Sequence, residues 1–309
     1  MKELVVISGK GGTGKTSLVA SFAALAHSAV LADCDVDAAD LHLVLHPETR
    51  HTEPFSGGKR AWIDPSQCST CGECKSVCRF EAVLVDPPAT PSGLPVYRID
   101  PIACEGCGVC AWFCPEGAIQ LDDAINGEWF ISDTRHGPMV HAKLGIAEEN
   151  SGKLVSTVRQ EARKLAEAQQ RDLILIDGSP GIGCPVIASI TGANLILIVT
   201  EPTVSGLHDL KRVAELARHF AVPAMVAINK WDLNPEVAEA IEAQATESGL
   251  RIAGRIRYDR GVTQAQIARL AVVEFQENGC AGDIRSVWQA VQDELHQLSG
   301  APRNEGKAT

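Results

Sequence analysis

The residues with the clearest chemistry form a glycine-rich loop early in the chain. Residues 9–16 read Gly-Lys-Gly-Gly-Thr-Gly-Lys-Thr and match the pattern G-x-x-x-x-G-K-[ST] of a phosphate-binding loop. In such a loop the glycines let backbone N–H groups turn toward a polyphosphate, the lysine reaches the β- and γ-phosphates, and the threonine hydroxyl binds Mg²⁺. The predicted phosphate-contacting residues are Gly9, Gly11, Gly12, Thr13, Gly14, Lys15, Thr16 and Ser17.

Two predicted elements hold this loop in place. Residues 4–7 are an apolar, β-branched run that predicts a buried strand, and residues 15–27 predict a helix. The helix would direct the positive end of its dipole at the bound anion. A chance glycine-rich turn is the alternative, and the strand before the loop and the helix after it argue against that alternative.

Eight of the eleven cysteines form a second candidate site. They fall in two sets that both read C-x₂-C-x₂-C-x₃-C, and an internal repeat of 36 residues relates the two sets. Structural zinc sites usually pair two knuckles across a longer gap, and clustered cysteines in a cytosolic chain favour metal binding over disulfides. The predicted metal ligands are Cys68, Cys71, Cys74, Cys78, Cys104, Cys107, Cys110 and Cys114.

This spacing resembles the cluster-binding motif of bacterial two-cluster ferredoxins. The resemblance implies two [4Fe–4S] clusters, each bound by three cysteines of one set and the last cysteine of the other. The implied ligand sets are Cys68, Cys71 and Cys74 with Cys114, and Cys104, Cys107 and Cys110 with Cys78. Arg79 stands where the motif usually has proline, so it either places a charge beside one cluster or points to water.

Aspartates follow two further predicted strands. Residues 29–33 end in Asp33, with Asp35 two residues later, and residues 172–177 end in Asp177. Ligands of parallel α/β sheets bind beyond the carboxyl ends of the strands, so these carboxylates are expected near the nucleotide. A polar turn that caps the next helix is the alternative for Asp35.

An early lysine in the loop, Lys10, and these aspartates together resemble the MinD/ParA/Mrp ATPases, which have a deviant phosphate-binding loop. The resemblance implies a nucleotide-dependent homodimer in which Lys10 contacts the nucleotide of the partner subunit; a solvated loop lysine is the alternative. It also implies that Asp35 orients the attacking water, while Thr16, Asp33 and Asp177 hold the hydrated Mg²⁺. The predicted catalytic residues are therefore Lys10, Lys15 and Asp35.

The base-recognition residue is predicted after a strand at residues 223–228. Asn229 matches the adenine-reading asparagine of the same ATPases. The segment from Asn229 to Asp232 also spells N-K-x-D, with which GTPases read guanine. That motif alone leaves ATP and GTP open, whereas the deviant loop and the D-x-D sequence favour ATP.

Composition and charge limit the classes of function. A formal net charge of −11 disfavours a role in coating nucleic acid, which needs a basic face. The apolar start is too short for a membrane span or a signal peptide, so a cytoplasmic protein without a membrane partner is expected. A predicted C-terminal helix, about residues 283–298, lacks a cationic face and is expected to pack on its domain.

The sequence predicts an α/β fold: a P-loop NTPase with a doubly wound, mostly parallel sheet and an inserted, small α+β ferredoxin-like domain. Residues 46–62 and about 122–150 are interpreted as irregular segments at the ends of the insertion. The predicted ranges are 1–59 and 123–299 for the ATPase domain, 60–122 for the inserted domain and 300–309 for a disordered tail.

Three functions stay open on the sequence. The first is MgATP-driven gating of electron transfer from two clusters to a redox partner. The second is ATP-dependent delivery of iron–sulfur clusters or metal centres to an apo-metalloprotein. The third, a positioning protein of the MinD/ParA kind, is disfavoured by the acidic charge and the missing membrane helix.

The three remaining cysteines lie outside the repeat. Cys34 and Cys280 are interpreted as small buried residues. Cys184 follows Asp177 by seven residues, so a bridging cluster is an alternative to simple packing at that position.

Overall fold

The fold is built on a large twisted sheet, and its strands and helices follow in chain order. A computed structural model describes residues 1–87, 95–145 and 151–300. Within those residues the strands are β1 (Lys2–Ser8), β2 (Ala29–Asp33), β3 (Glu48–Ile63), β4 (Val83–Asp86), β5 (Val96–Ile99), β6 (Ile119–Thr134), β7 (Gly137–Leu144), β8 (Leu173–Pro180), β9 (Leu195–Thr200), β10 (Ala224–Asn229) and β11 (Arg251–Ile256). The helices are α1 (Lys15–Leu25), α2 (Leu41–Leu45), α3 (Glu73–Val77), α4 (Val109–Trp112), α5 (Ser151–Ala168), α6 (Cys184–Ile190), α7 (Val204–His219), α8 (Pro235–Glu247), α9 (Gly261–Ile267), α10 (Val272–Phe275) and α11 (Cys280–Gly300).

Nine of the described strands form one sheet in the order β11-β10-β9-β1-β8-β2-β7-β6-β3. From β11 to β7 every neighbouring pair is parallel. The central strand β1 sets Leu4 beside Leu175 of β8 and Leu195 of β9. The inner strands β2, β8 and β9 are mostly apolar and buried, as expected for parallel strands covered on both faces by helices. The prediction of a doubly wound, mostly parallel sheet is therefore confirmed.

Alternate residues of the strands serve different faces of the sheet. Leu4 and Val6 belong to a core that also contains Phe22 of α1 and Trp288 of α11, whose rings lie 4.8 Å apart. The helices α5, α6 and α7 pack against β2, β8 and β9. The predicted packing of the C-terminal helix is confirmed, since the apolar stripe of α11 is buried in this core.

Two segments interpreted as irregular are strands instead. Residues 46–62 largely form β3, and the stretch 122–150 contains most of β6 and all of β7. The sequence suggested a loop because Pro54, Gly57 and Gly58 are typical of loops. In the structure these residues lie within β3, the first half of which is exposed. A strand paired along its backbone needs little apolar content, so composition alone misled the interpretation.

The described chain divides into two compact units. The first holds Met1–Thr52, Trp129–Lys143 and the described residues from Ser151 onward. The second holds Glu53–Glu128, with Leu144 and Gly145. The domain ranges given above stay a prediction, and the predicted tail lies, from residue 301 onward, outside the described residues. Among the described helices, none has both the length and the apolar composition needed to cross a bilayer.

The sequence repeat is also a structural repeat within the second unit. The backbone N–H of Asp64 donates to the carbonyl of Ala118 at 2.8 Å, and that of Asp100 donates to Ala82 at 2.7 Å. Each residue in one bond lies 36 positions from its counterpart in the other. The strands β4 and β5 pair antiparallel. The two halves of the repeat therefore make equivalent backbone contacts with each other, as expected for halves related by an approximate two-fold axis.

Candidate functional site

The phosphate-binding loop connects β1 to α1 in the first unit. Gly14 has a positive φ of 89°, and a Cβ atom there would lie 2.4 Å from Nδ2 of Asn229. Only glycine suits both constraints. Asn229 in turn donates from Nδ2 to the carbonyl of Thr13 at 2.7 Å, which ties the end of β10 to the loop.

Lys15 begins α1 and is almost fully buried. Its Nζ lies 2.6 Å from Oδ1 of Asp177 and 3.2 Å from Oδ2 of Asp35. Burial alone would lower the pKa of Lys15, but the charges of Asp177 and Asp35 raise it to about 12. Three residues with predicted roles are thus in contact: Lys15 for phosphate binding, Asp35 for orienting water and Asp177 for Mg²⁺ binding.

Asp33 is fully buried at the end of β2. Its carboxylate accepts the backbone N–H of Asp35 at 3.1 Å and that of Leu41 at 3.3 Å. Burial and the charge of Asp177 raise the pKa of Asp33, and burial raises the pKa of Asp35. In this arrangement Asp33 also shapes the loop that carries Asp35.

The donor set of this cluster fits a hydrated Mg²⁺. Oδ2 of Asp177 and Oγ1 of Thr13 are buried without a hydrogen-bond partner in the part of the chain that the structure describes. Leaving such atoms unpaired is costly, and three buried carboxylates share a single buried lysine here. A divalent cation with its water shell would supply the missing positive charge and the missing donors.

Lys10 and Lys230 both contact Glu201, which no sequence motif indicated. Lys10 Nζ lies 2.6 Å from Oε1 of Glu201 and also donates to the hydroxyls of Thr203 and Ser205. Lys230 Nζ lies 3.2 Å from Oε2 of Glu201. Burial acts to raise the pKa of Glu201, but hydrogen bonds from both lysines lower it. Glu201 directly follows β9, so the rule on strand ends could have identified it.

A cavity of about 260 Å³ adjoins the loop and could admit a nucleoside. Its lining combines Asn229 with apolar side chains such as Leu18 and Val262. Asp232 lies elsewhere: its Oδ1 accepts the backbone N–H of Tyr258 at 2.7 Å. Asp259 lines the cavity but holds its own loop, since it accepts the N–H of Gly261 at 2.8 Å.

A direct hydrogen bond joins the segment that follows β2 to the C-terminal end of β8. The Ser179 hydroxyl donates to the carbonyl of Cys34 at 2.8 Å, and the Cys34 N–H donates to the carbonyl of Asp177 at 2.7 Å. The N–H of Gly181 donates to Ser8 O at 2.8 Å. The two segments that carry the magnesium-binding candidates are therefore linked to each other and to the loop.

The repeat cysteines lie in the second unit, around two small cavities. The first cysteine cavity is lined by Cys68, Cys71, Cys74 and Cys114. The second cysteine cavity is lined by Cys78, Cys104, Cys107 and Cys110. This grouping is the one that the ferredoxin resemblance implies; iron binding itself stays a prediction.

The exposure of the cysteines repeats as well. Cys74 and Cys110 are buried, whereas Cys71 and Cys107 are exposed. Within the described residues, no three His, Cys, Asp or Glu side chains converge on a single ion position. Ligands of a cubane each bind a different iron, so the thiols of each cavity fit a cluster better than a mononuclear ion. Outside the repeat, Cys34 and Cys280 are buried as expected, and Cys184 is exposed.

Residues 4–271 match the protein family described as the CobQ/CobB/MinD/ParA nucleotide binding domain. This chain belongs to that family. It is thereby a member of a P-loop ATPase family, and the glycine-rich loop at residues 9–16 lies within the matched residues.

Among curated relatives, the uncharacterized protein MJ0578 of Methanocaldococcus jannaschii is 32% identical over 235 residues, which cover 75% of this chain and 79% of the relative. Among solved structures, MinD complexed with Mg-ADP from Pyrococcus horikoshii OT3 has a TM-score of 0.57 at 14% identity, covering 97% of this chain and 99% of that one. MinD in the MinC:MinD complex of Aquifex aeolicus also gives 0.57, at 16% identity and with 95% and 96% covered. At these identities the two structures show the shared fold alone.

In this member of the CobQ/CobB/MinD/ParA family, the predicted site residues of the first unit fall in one region. Lys15, Asp35 and Asp177 are in contact, Asp33 anchors the same loop, and Asn229 holds the phosphate-binding loop. Lys10 lies at the edge of the region, on Glu201. Their individual roles in catalysis stay predictions.

Proposed function

We propose that the chain is a MgATP-hydrolysing iron–sulfur protein in which nucleotide state gates one-electron transfer from two [4Fe–4S] clusters to a partner protein. The observation that carries this proposal is the grouping of the eight repeat cysteines around two cavities, each with three thiols of one set and the last of the other. A ligand set of that composition holds a cluster tightly, which favours electron transfer.

The chain supplies each cluster with thiolates and a mostly apolar wall. Ile63 and Ala118 line the first cysteine cavity, and Ala61 and Val83 line the second. Such walls restrict access of water and thereby influence the reduction potential. The clusters, when bound, would supply one-electron chemistry.

In the nucleotide site, Lys15 would bind the β- and γ-phosphates, and Thr16, Asp33 and Asp177 would hold the hydrated Mg²⁺. Asp35 would orient the attacking water. Lys10 would leave Glu201 and reach the nucleotide of a second subunit in a homodimer. ATP is the favoured nucleotide because Asn229 lines the cavity and Asp232, which would have to read guanine, does not.

The route by which nucleotide state reaches the clusters begins at two segments, the one after β2 and the C-terminal end of β8. The Ser179–Cys34 hydrogen bond joins these two segments, so a movement in one of them changes the other. Along the chain, the segment after β2 leads through α2 into the second unit. Hydrolysis would therefore be sensed first by the segment that precedes the cysteine repeats.

The proposal is tested by an anaerobic EPR redox titration of purified protein with MgATP, with MgADP and without nucleotide. Iron and acid-labile sulfide should reach about eight of each per chain, as two cubanes require. Cluster potentials that move by tens of millivolts between nucleotide states are expected. Potentials that do not move would contradict gating. The Cys184→Ser variant is the control and should keep the full iron content.

Delivery of clusters to an apo-metalloprotein is the second candidate. The exposure of Cys71 and Cys107 favours it, because an acceptor thiol can approach an exposed ligand. Transfer of iron and sulfide from the loaded protein to an apo-ferredoxin, stimulated by MgATP, would support delivery. Clusters that stay on the protein through many electron-transfer cycles would support the electron donor.

A positioning role is the third candidate, and the fold shared with MinD supports it. The solved complex of MinC and MinD shows that MinD has a protein partner. A positioning protein would not need the eight repeat cysteines, so serine variants that lose iron but keep nucleotide-dependent partner binding would favour this candidate.

A further inference from the structure

Eight large apolar side chains among the described residues of the second unit are exposed to solvent, and five of these lie within three residues of a cysteine of the second cavity in sequence. These five are Phe80, Ile102, Val109, Trp112 and Phe113, and together they are called the apolar collar. Trp112 is 88% exposed and Ile102 is 78% exposed. Side chains with so much exposed area contribute little to the core of their own unit, so their apolar character needs another explanation.

Two side chains of the apolar collar line the second cysteine cavity, and the other three lie close to its cysteines in sequence. Phe80 and Val109 line that cavity directly, together with Cys78 and Cys110. Trp112 ends α4, whose first turn carries Cys110. Ile102 lies two residues before Cys104, and Phe113 directly follows Trp112.

The internal repeat provides a control for this observation. Residues 36 positions away occupy equivalent places around the first cysteine cavity. There Ser66 stands for Ile102, Glu73 for Val109, Ser76 for Trp112 and Glu116 for Phe80, and only Val77, which stands for Phe113, is apolar. The same local fold therefore forms with polar residues at these places, so folding does not explain the apolar collar.

The charge of this unit indicates what kind of molecule would cover the collar. Residues 53–128 contain eleven Asp and Glu residues against five Lys and Arg residues, a formal charge of −6. Next to the collar in sequence, Glu81 and Glu105 are acidic and Arg79 is basic. Two copies of such a surface would repel each other, whereas a partner with lysines or arginines around an apolar centre would be attracted.

We propose that the apolar collar is the docking surface for a basic redox protein, and that electrons leave through the second cysteine cavity. The electron-transfer part of this inference rests on the proposed function. One electron would pass from the reduced iron–sulfur centre at that cavity to a one-electron acceptor in the partner, without making or breaking a covalent bond. A low-potential one-electron reductant would first reduce the centre. The centre at the first cysteine cavity, which has polar residues at the places of the collar, would pass its electron to the centre at the second cavity and not directly to the partner.

The test uses ferricytochrome c, a basic haem protein, as the probe. Its binding to the full-length, cluster-loaded protein is measured by calorimetry at low salt. The double variant Ile102→Ser, Trp112→Ser is called the collar variant. At both positions it carries the serine of the first repeat, and it leaves the net charge unchanged. It should bind about tenfold more weakly than the wild type, as expected when a central aromatic contact is lost. Raising the salt to about 0.2 M should weaken wild-type binding strongly.

The matched control is the double variant Ser66→Ala, Ser76→Ala in the first repeat, which should bind like the wild type. Both variants change exposed positions, so the iron content should be retained. A second readout is the rate at which dithionite-reduced protein reduces ferricytochrome c and, separately, ferricyanide. The collar variant should be slower only with ferricytochrome c, because ferricyanide needs no docking surface.

Each outcome separates this inference from the proposed function. Equal binding by the collar variant and the wild type would overturn the docking surface, as would equal weakening by the control. A wild type that sediments without nucleotide as a dimer, while the collar variant is a monomer, would assign the collar to a second copy instead. Failure of the wild type to reduce ferricyanide would count against the proposed function, and the calorimetry would still decide the docking surface.

Discussion

At the scale of single residues, Asn229 and Asp232 determine how the base site is interpreted. Asn229 ends β10 and Asp232 follows it by three residues, and their sequence alone fits readers of adenine or guanine. In the structure they point to different tasks, since Asn229 lines the cavity whereas Asp232 accepts the Tyr258 N–H at 2.7 Å. Asp232 does not line the cavity, so guanine bound there would lack the carboxylate that reads it.

We expect the Asp232→Asn variant to keep its preference for ADP over GDP within about threefold, because asparagine can still accept the Tyr258 N–H. Calorimetric titration with ADP, GDP and xanthosine diphosphate measures this. Asn229→Ala should weaken ADP binding, since it removes the hydrogen bond to Thr13. A gain of xanthosine diphosphate binding by Asp232→Asn would show that Asp232 reads the base after all.

At the scale of elements, β7 joins the parallel sheet beside the strand that carries Asp33. His141 of β7 lies opposite Asp33 in the register of these strands. Its Nε2 lies 2.9 Å from the Ser132 hydroxyl, and its ring stacks on Phe130. Burial, with a contribution from the charge of His42, lowers the pKa of His141 to about 4.

This lowered pKa predicts a specific loss of stability in mild acid. In mild acid the folded state binds fewer protons at His141 than the unfolded state does. The contribution of His141 to the free energy of unfolding is therefore complete above about pH 6.5 and falls as the pH drops toward 4. Between pH 7 and pH 5 the wild type should lose about 2 kcal/mol more than the His141→Gln variant. Urea unfolding followed by tryptophan fluorescence measures the difference. His27→Gln, at an exposed site, should behave like the wild type, and equal losses in all three proteins would contradict the prediction.

Sequence patterns predicted some elements of this molecule well and others poorly, for physical reasons. The run at residues 29–33 gave β2 with its observed bounds, because a strand buried on both faces must be apolar throughout. The strands β3 and β6 escaped notice because backbone pairing holds them and much of their surface is polar. The ferredoxin resemblance, which the cysteine spacing carries, implied the grouping that the two cavities show. Glu201 was missed because its importance depends on Lys10 and Lys230, which are distant in sequence.

At the scale of the whole molecule, the position of Lys10 bears on how many chains form one active site. Within one chain, Lys10 Nζ lies 2.6 Å from Glu201 and also donates to Thr203 and Ser205. Lys15 and Asp35 lie 3.2 Å apart within one chain, and both are predicted to serve the site of that chain. If Lys10 crosses to a second subunit, a complete site needs Lys10 from one chain and Lys15 with Asp35 from the other.

Mixing inactive variants therefore tests the dimer directly. Lys10→Ala and Lys15→Ala should each lower the rate of ATP hydrolysis about 100-fold when assayed alone. An equal mixture should recover up to about a quarter of the wild-type rate, because half of the dimers are mixed and each mixed dimer has one complete site. A mixture of Lys15→Ala with Asp35→Ala is the control and should not recover, since both residues serve their own subunit. Phosphate release measures the rates, and a first mixture as inactive as its components would place Lys10 in its own subunit's site.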